Sequence, residues 1–342
     1  MLLEDNGSDN RIIGFTHRAD KSGGPGSFQT RLIAELRKRA CKIVYPEDNI
    51  VPSVVLVIGG SAKIWWIVWC KIKGARIVHR IDGLNWRHRL IKCPLWYKVK
   101  SEVRNWLTLL IRNVLADQII YQSHFVMSWY NYRYGKEKVK SVVIYNFVDS
   151  QEFFPTEVSP QLPPKIICAE SRLVDDFISC KTIRYIVNEL YGDGLIRGVR
   201  VIGSLGSAEY ASLAEVPGIE LAGEISRREM PAEYRTGEIF LSLDVNAACP
   251  NAVIEALAAG LVVVGFKTGA LPELITSDSG LLVDYGGDPW ALDEPDYAAL
   301  VGAITEVSKG LGKLRYAPRR RAEKEFSYEA VGQAYFQVLF GS

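Results

Sequence analysis

The stretch at 249–265, Cys-Pro-Asn-Ala-Val-Ile-Glu-Ala-Leu-Ala-Ala-Gly-Leu-Val-Val-Val-Gly, constrains this chain more than any other. Pro250 and Asn251 open a helix, with Asn251 as its cap, and good helix formers follow. Gly260 stops the helix, and a β-branched run then forms a buried strand. The helix is only about ten residues long, so its first amides and its dipole lie close to whatever sits in front of Cys249. Glu255 lies four residues past Asn251 and shares that helix face one turn further in. An anion at the mouth and a carboxylate behind it suit a nucleotide, with phosphates on the amides and ribose hydroxyls on the acid. A surface helix with a solvated Glu fits the same spacing.

The rest of the chain alternates strands with helices, which predicts α/β layers with mostly parallel sheets. At 342 residues it is long enough for two such domains. A strand at 11–15 leads into Ser22-Gly23-Gly24-Pro25-Gly26-Ser27-Phe28 and a helix at 27–39. Glycines let a backbone approach a ligand there, and the helix points its amides at it; many such clusters are only turns. Strands follow at 41–44, at 54–58 ending in Gly59-Gly60, and at 76–81 ending in His79-Arg80-Ile81-Asp82-Gly83. The carboxyl end of a parallel strand faces the ligand crevice, so His79 and Asp82 are candidate ligand-facing residues, although a lone strand His is often structural. The helix at 62–73 is apolar most of the way round and reads as buried, or as membrane-dipping. Further strands are expected at 116–122 and 142–145, a proline-rich linker at 155–164, and a second series of strands at 165–169, 199–203, 220–223 and 238–243. The first domain is expected at 1–155 with the tail helix 326–342, the second at 156–325.

Net charge is +2, but its distribution is uneven. Residues 1–155 hold 24 Lys+Arg against 13 Asp+Glu, or +11; the remainder holds 17 against 26, or −9. The front domain would therefore attract an anionic substrate or an anionic membrane face. Its most basic stretch, 86–112, interleaves Arg87, Arg89, Lys92, Lys98, Lys100, Arg104 and Arg112 with Trp86, Leu90, Leu95, Trp96, Tyr97, Trp106, Leu107 and Leu110; Glu102 is its one acid. That pattern reads as a membrane-surface patch, a polyanion site, or a solvated helix with its apolar face in the core. No nucleic-acid reader motif is present. The start, Met1-Leu2-Leu3-Glu4-Asp5, lacks a signal core, and six scattered cysteines without a CxxC pair point to a reducing, cytoplasmic setting with no zinc site.

Residues 249–275 resemble the donor-binding signature of glycosyltransferase family 4, retaining enzymes with two Rossmann-like domains in the GT-B fold. The glycine cluster with Gly24 and Gly26 resembles that family's GGxG loop. Asn146-Phe147-Val148-Asp149 with Phe153 and Pro155 resembles its interdomain junction, with Phe147 in place of a glycine, and Gly223 to Pro231 resembles its donor-base loop. The resemblance implies that Cys249, Pro250, Asn251 and Ala252 meet the donor phosphates and that Glu255 holds the ribose. It implies that Arg172 and a lysine about five positions on hold the diphosphate. It places a strand-end His or Asp, here His79 or Asp82, near the donor sugar; the basic first domain would present the acceptor, with Asp82 and Arg87 as candidates on that side. Two donor-site positions also depart from the pattern. The first of the family's paired glutamates falls on Ala247, and the lysine falls on Phe177, with Lys181 the nearest substitute; Asp244 and Asn246 lie near Ala247 but out of register.

The expected function is transfer of a hexose from a nucleotide-diphosphate sugar to a hydroxyl of a glycan or lipid-linked glycan. No Asp-x-Asp element is present, so neither metal nor cofactor is expected. The departures at Ala247 and Phe177 keep open a weakly catalytic or inactive nucleotide-sugar-binding protein. A Rossmann dehydrogenase is disfavoured, because no strand is followed by a G-x-G-x-x-G with an acid about 20 residues on.

Overall fold

A computed structural model describes residues 11–19, 24–156, 160–173, 177–314 and 316–341. The N-terminal five residues, Gly23, and part of the expected linker at 155–164 lie outside these. The chain forms two compact units: one runs up to Tyr145 and takes back the chain from Tyr328, and the other spans Asn146–Ser327.

The first unit holds strands β1 (Ile12–Phe15), β2 (Lys42–Val44), β3 (Val54–Ile58), β4 (Arg76–Ile81), β5 (Gln118–Tyr121) and β6 (Lys140–Val143). They form one parallel sheet in the order β2-β1-β3-β4-β5-β6. The central strand β3, Val-Val-Leu-Val-Ile, is buried along its length because helices cover both faces. Those helices are α1 (Gly24–Lys38), α2 (Ile64–Ile72), α3 (Leu95–Leu110), α4 (His124–Tyr134) and, from the chain's end, α12 (Tyr328–Phe340). The last packs on α1 and β3. Strand order reverses between β1 and β3, and in doubly wound sheets ligands bind outside the carboxyl ends of the strands at that point.

The second unit holds β7 (Lys165–Arg172), β8 (Gly198–Ser204), β9 (Ile219–Gly223), β10 (Ile239–Ser242), β11 (Val262–Phe266) and β12 (Gly280–Val283). All pairs are parallel, in the order β12-β11-β10-β7-β8-β9, with the reversal between β7 and β10. Its helices are α5 (Phe177–Leu190), α6 (Ser207–Ala214), α7 (Met230–Tyr234), α8 (Asn251–Ala258), α9 (Leu271–Leu274), α10 (Tyr297–Leu314) and α11 (Ala317–Glu325). The α5 stripe Ile183, Ile186, Val187 and Leu190 recurs at helical spacing and enters the core with Val199, Val201 and Leu241.

The boundary falls at 145/146, ten residues before the expected 155, because 146–153 packs within the second unit. Phe153 lies against Tyr234, and Val148 bridges to Ser327. Arg319 binds the carbonyls of Ser150 and Phe153 and, at 2.9 Å, that of Ala258 at the end of α8. Helix α8, expected from the 249–265 stretch, has eight residues. Its end is fixed by Gly260 at φ +84°, with Gly260 N–H donating to Leu257 and Leu261 N–H to Ala256.

Arg112 departs from its sequence reading. The chain continues α3 with a wide turn, Ile111–Leu115, which turns Arg112 inward. Its guanidinium bonds Tyr121 Oη, Asn131, the Gly135 carbonyl and Glu137, and both Arg112 and the Glu137 side chain are buried. It is a core residue and no part of a basic surface.

Candidate active site

In the second unit the reversal point brings the end of β7 beside the loop that joins β10 to α8. That loop, 243–250, is held from two sides. Asn146 N–H donates to Cys249 Sγ at 3.3 Å, and its side-chain amide donates to the Cys249 carbonyl at 2.8 Å. Ala270 N–H donates to the Ala247 carbonyl at 2.9 Å. Gly269 backs directly on the Ala247 backbone, where an added Cβ would stand 2.5 Å from the Ala247 nitrogen.

Pro250, and not Asn251, occupies the cap position of α8, and no side chain caps the helix. Asn251 and Ala252 are its first two residues. Pro250 has no N–H, and the amides of Ala252 and Val253 lack a carbonyl four residues back within the helix. Glu255 is half-buried one turn in, and Tyr234 Oη donates to its Oε2 at 3.4 Å. Sequence reasoning missed both Asn146 and Tyr234 as supports, since each lies more than 20 residues away in the chain. Ala247 is buried and brings no acid to the loop. Beside it Asn246 adopts φ +56°, is buried, and its Nδ2 has no partner among the described residues.

Arg172 ends β7; its side chain lies outside what the structure describes. Phe177 begins α5 with an exposed ring. Lys181, one turn on, pairs at the surface with Glu294, whose bond raises the lysine's pKa. Those two residues are 113 positions apart, so the pairing was illegible in the sequence.

In the first unit Gly24 and Gly26 lie within the opening turn of α1 rather than in a loop ahead of it, and the Gly26 carbonyl accepts from Thr30 Oγ1 at 2.9 Å. His79 is not at a strand end. It sits inside β4 opposite Val57 and Ile119, fully buried. Its Nε2 donates to the Gly59 carbonyl at 2.9 Å, which leaves Nδ1 as a lone pair without a partner among the described residues. Burial pushes its pKa down to about 4; the Gly59 bond opposes this and the Arg112 charge adds to it. The neutral ring thus supports the Gly59–Gly60 turn from below.

Asp82 follows β4 and reaches the edge of the surface. Its Oδ1 accepts from Arg80 and, at 2.7 Å, from Gln122. Tyr130 Oη donates to its carbonyl at 3.2 Å, and an added Cβ on Gly59 would stand 3.2 Å from Oδ2. Burial raises the Asp82 pKa, and the Arg80 and Arg104 charges only partly offset this. Arg80 is itself buried, stacked over Phe28 at 3.7 Å and bonded to Tyr335 Oη at 3.0 Å. Arg80 and Asp82 alternate on one strand face, a spacing that could have been read directly.

Arg87 begins a short turn, Arg87–Arg89, that α3 clasps. Arg89 grips Glu102 with two bonds at 2.7 and 2.9 Å, and His88 Nε2 lies 2.9 Å from the same carboxylate. The Arg89 bond in particular holds Glu102 down at about 2. Among the described residues no group of three His, Cys, Asp or Glu is placed to hold a metal ion.

Residues 185–307 match the family model described as "Glycosyl transferases group 1". The chain is similar, at 26% identity over 227 residues, to a phosphatidylinositol N-acetylglucosaminyltransferase subunit from Arabidopsis thaliana. That match takes in 64% of this chain and 47% of the relative, so the chain spans about half the relative's length. Among solved structures, a sucrose-phosphate synthase from Thermosynechococcus elongatus superposes with a TM-score of 0.69 at 15% identity, covering 97% of this chain and 99% of its own. Anabaena HepE in complex with UDP and glucose superposes with a TM-score of 0.67 at 13% identity, covering 96% and 99%. The chain has the GT-B fold, and the match to the glycosyltransferase group 1 model falls within its second unit.

Proposed function

We propose that the protein is a retaining glycosyltransferase of the family 4 type, moving a hexose from a nucleotide-diphosphate sugar to a hydroxyl of a glycan or lipid-linked glycan. The observation that carries this reading is α8, whose amino end opens at the β7/β10 reversal point with Glu255 one turn behind it. Glycosyl transfer passes through an oxocarbenium-like state while the departing diphosphate gains charge. Amides at Ala252 and Val253, together with Arg172, stabilise that charge. Glu255 takes the ribose hydroxyls. Asp82, held by Arg80 and Gln122 and made more basic by burial, receives the acceptor hydroxyl's hydrogen bond. His79 supports the turn at Gly59–Gly60 beside the sugar, while Gly24, Gly26 and Lys181 serve the donor and Arg87 the acceptor. The UDP seen with the Anabaena protein supports a uridine donor, and the lipid named for the Arabidopsis relative supports a lipid-linked acceptor. The reaction runs without metal or cofactor, in the cytoplasm or at its membrane face.

The test is incubation with UDP-sugars and a lipid-linked or free glycan acceptor, with release of UDP as the readout and chelator in one arm. Acceptor-dependent UDP release that survives the chelator supports the reading. The second reading, a binding protein with little turnover, is favoured by Ala247 and Phe177 standing where the family has acid and lysine. Donor binding without UDP release would select it.

A further inference from the structure

Helix α3 is amphipathic in the wrong sense for a helix that merely covers a sheet. Its inward stripe is polar: Ser101, Asn105 and Thr108 are buried. Asn85 bonds Ser101 at 3.0 Å and Tyr97 Oη at 3.1 Å, and it exchanges two further bonds with Asn105. Gly60 allows this close approach, since an added Cβ would meet the Arg104 carbonyl at 2.6 Å and Thr108 Oγ1 at 2.8 Å. The outward stripe is apolar. Trp96 is 66%, Val99 54%, Val103 50% and Trp106 61% exposed, and with Leu95 they fill an arc of about 100° on the helix. A soluble helix places these two stripes the other way round.

Helix α2 packs on the turn that continues α3. Trp65 and Ile72 are exposed seven residues apart, and Lys71 Nζ bonds the Leu115 carbonyl at 2.8 Å, beside exposed Val114 in the turn that continues α3. Charge around the apolar arc is positive apart from Glu102. Lys92, Lys98, Lys100 and Arg104 carry no ion pair among the described residues, whereas Glu102 is taken up by Arg89. Long basic side chains at the rim of an apolar stripe keep their heads level with anionic headgroups while Trp and Val enter the acyl boundary. Among the described residues no helix is long and apolar enough to cross a membrane. The surface fits lying on a bilayer.

We propose that the outward face of α3 is a docking surface for an anionic lipid bilayer, with Trp96, Val99, Val103 and Trp106 as the inserted residues. This does not rest on the transfer reading, although a docked first unit would meet lipid-linked acceptors in the plane of their membrane.

The experiment is flotation of the full chain with phosphatidylglycerol/phosphatidylcholine vesicles and with phosphatidylcholine alone, at low and high salt. Sedimentation without lipid is run in parallel. Wild type is expected to float with the anionic vesicles and to lose binding as salt rises. Trp96→Ser/Trp106→Ser should lower the partition coefficient about tenfold or more. Lys98→Glu/Lys100→Glu should lower it roughly fivefold per charge removed and flatten the salt dependence. Val99→Gln/Val103→Gln gives an independent pair should the tryptophan variant misfold. Failure to float at low salt, or flotation indifferent to both apolar pairs, overturns the proposal. So does a dimer that these variants dissolve without any flotation, since the face would then be covered by a second copy. Nucleotide-sugar binding, measured on the same proteins by thermal shift, should not change; its loss in wild type would count against the transfer reading alone.

Discussion

Asn146 holds Cys249 by two atoms at once, its backbone N–H on the thiol and its side-chain amide on the carbonyl. That pair fixes the residue immediately before the cap of α8. Removing the side chain in Asn146→Ala leaves a buried carbonyl without its donor, at a cost of about 1–3 kcal/mol. Urea unfolding should show that loss, and titration with a UDP-sugar should show weaker binding in the same variant. Stability lost with donor affinity intact would mean that the pin serves the fold alone.

Glu255→Ala tests the ribose assignment. Wild type with donor at 100 times its dissociation constant should gain about 2.7 kcal/mol in thermal stability. The variant should need about tenfold or more donor for the same gain, since hydrogen bonds to a charged group contribute about 1.5–3 kcal/mol. An unchanged donor-induced shift rejects the role.

Asn246 is the polar group nearest in sequence to Ala247, and its buried Nδ2 has no partner among the described residues. Asn246→Gly keeps the left-handed backbone while deleting the amide. Stability should hold or rise slightly, because an unsatisfied donor disappears, while donor affinity should fall several-fold. Unaltered affinity would leave the amide without a part in donor recognition.

His79 gives a pH signature. Its folded pKa near 4 lies below the ordinary 6.5, so the unfolded chain binds the proton first as pH drops. Stability from keeping the ring neutral is full above about pH 6.5 and is lost progressively down to about pH 4, by roughly 3 kcal/mol for this fully buried group. His79→Gln should flatten that part of the stability profile, whatever its effect at neutral pH. A profile of identical slope in the variant would contradict the assignment.

Alternation of apolar runs with helical stripes made both sheets legible, because a parallel strand buried on two faces, such as Val54–Ile58 or Val262–Phe266, leaves an almost unbroken apolar signal. The α8 motif was legible for the same local reasons, down to Gly260. What escaped depended on distant partners. Arg112 looked like one more surface cation until Glu137 and Tyr121 closed around it. Composition alone also left the facing of α3 open, since the same tryptophans suit a core or an exterior; the buried Ser101, Asn105 and Thr108 decide it.

Strand β7 lies at the heart of its sheet, hydrogen-bonded to β8 on one side and β10 on the other, yet it precedes the window 185–307. Arg319, which gathers the ends of α8 and of the entering segment, follows that window. An excised fragment with those limits would lack the middle plank of its floor and the clamp on its key helix. Any expression of this half by itself has to reach from Asn146 through α11 to remain whole.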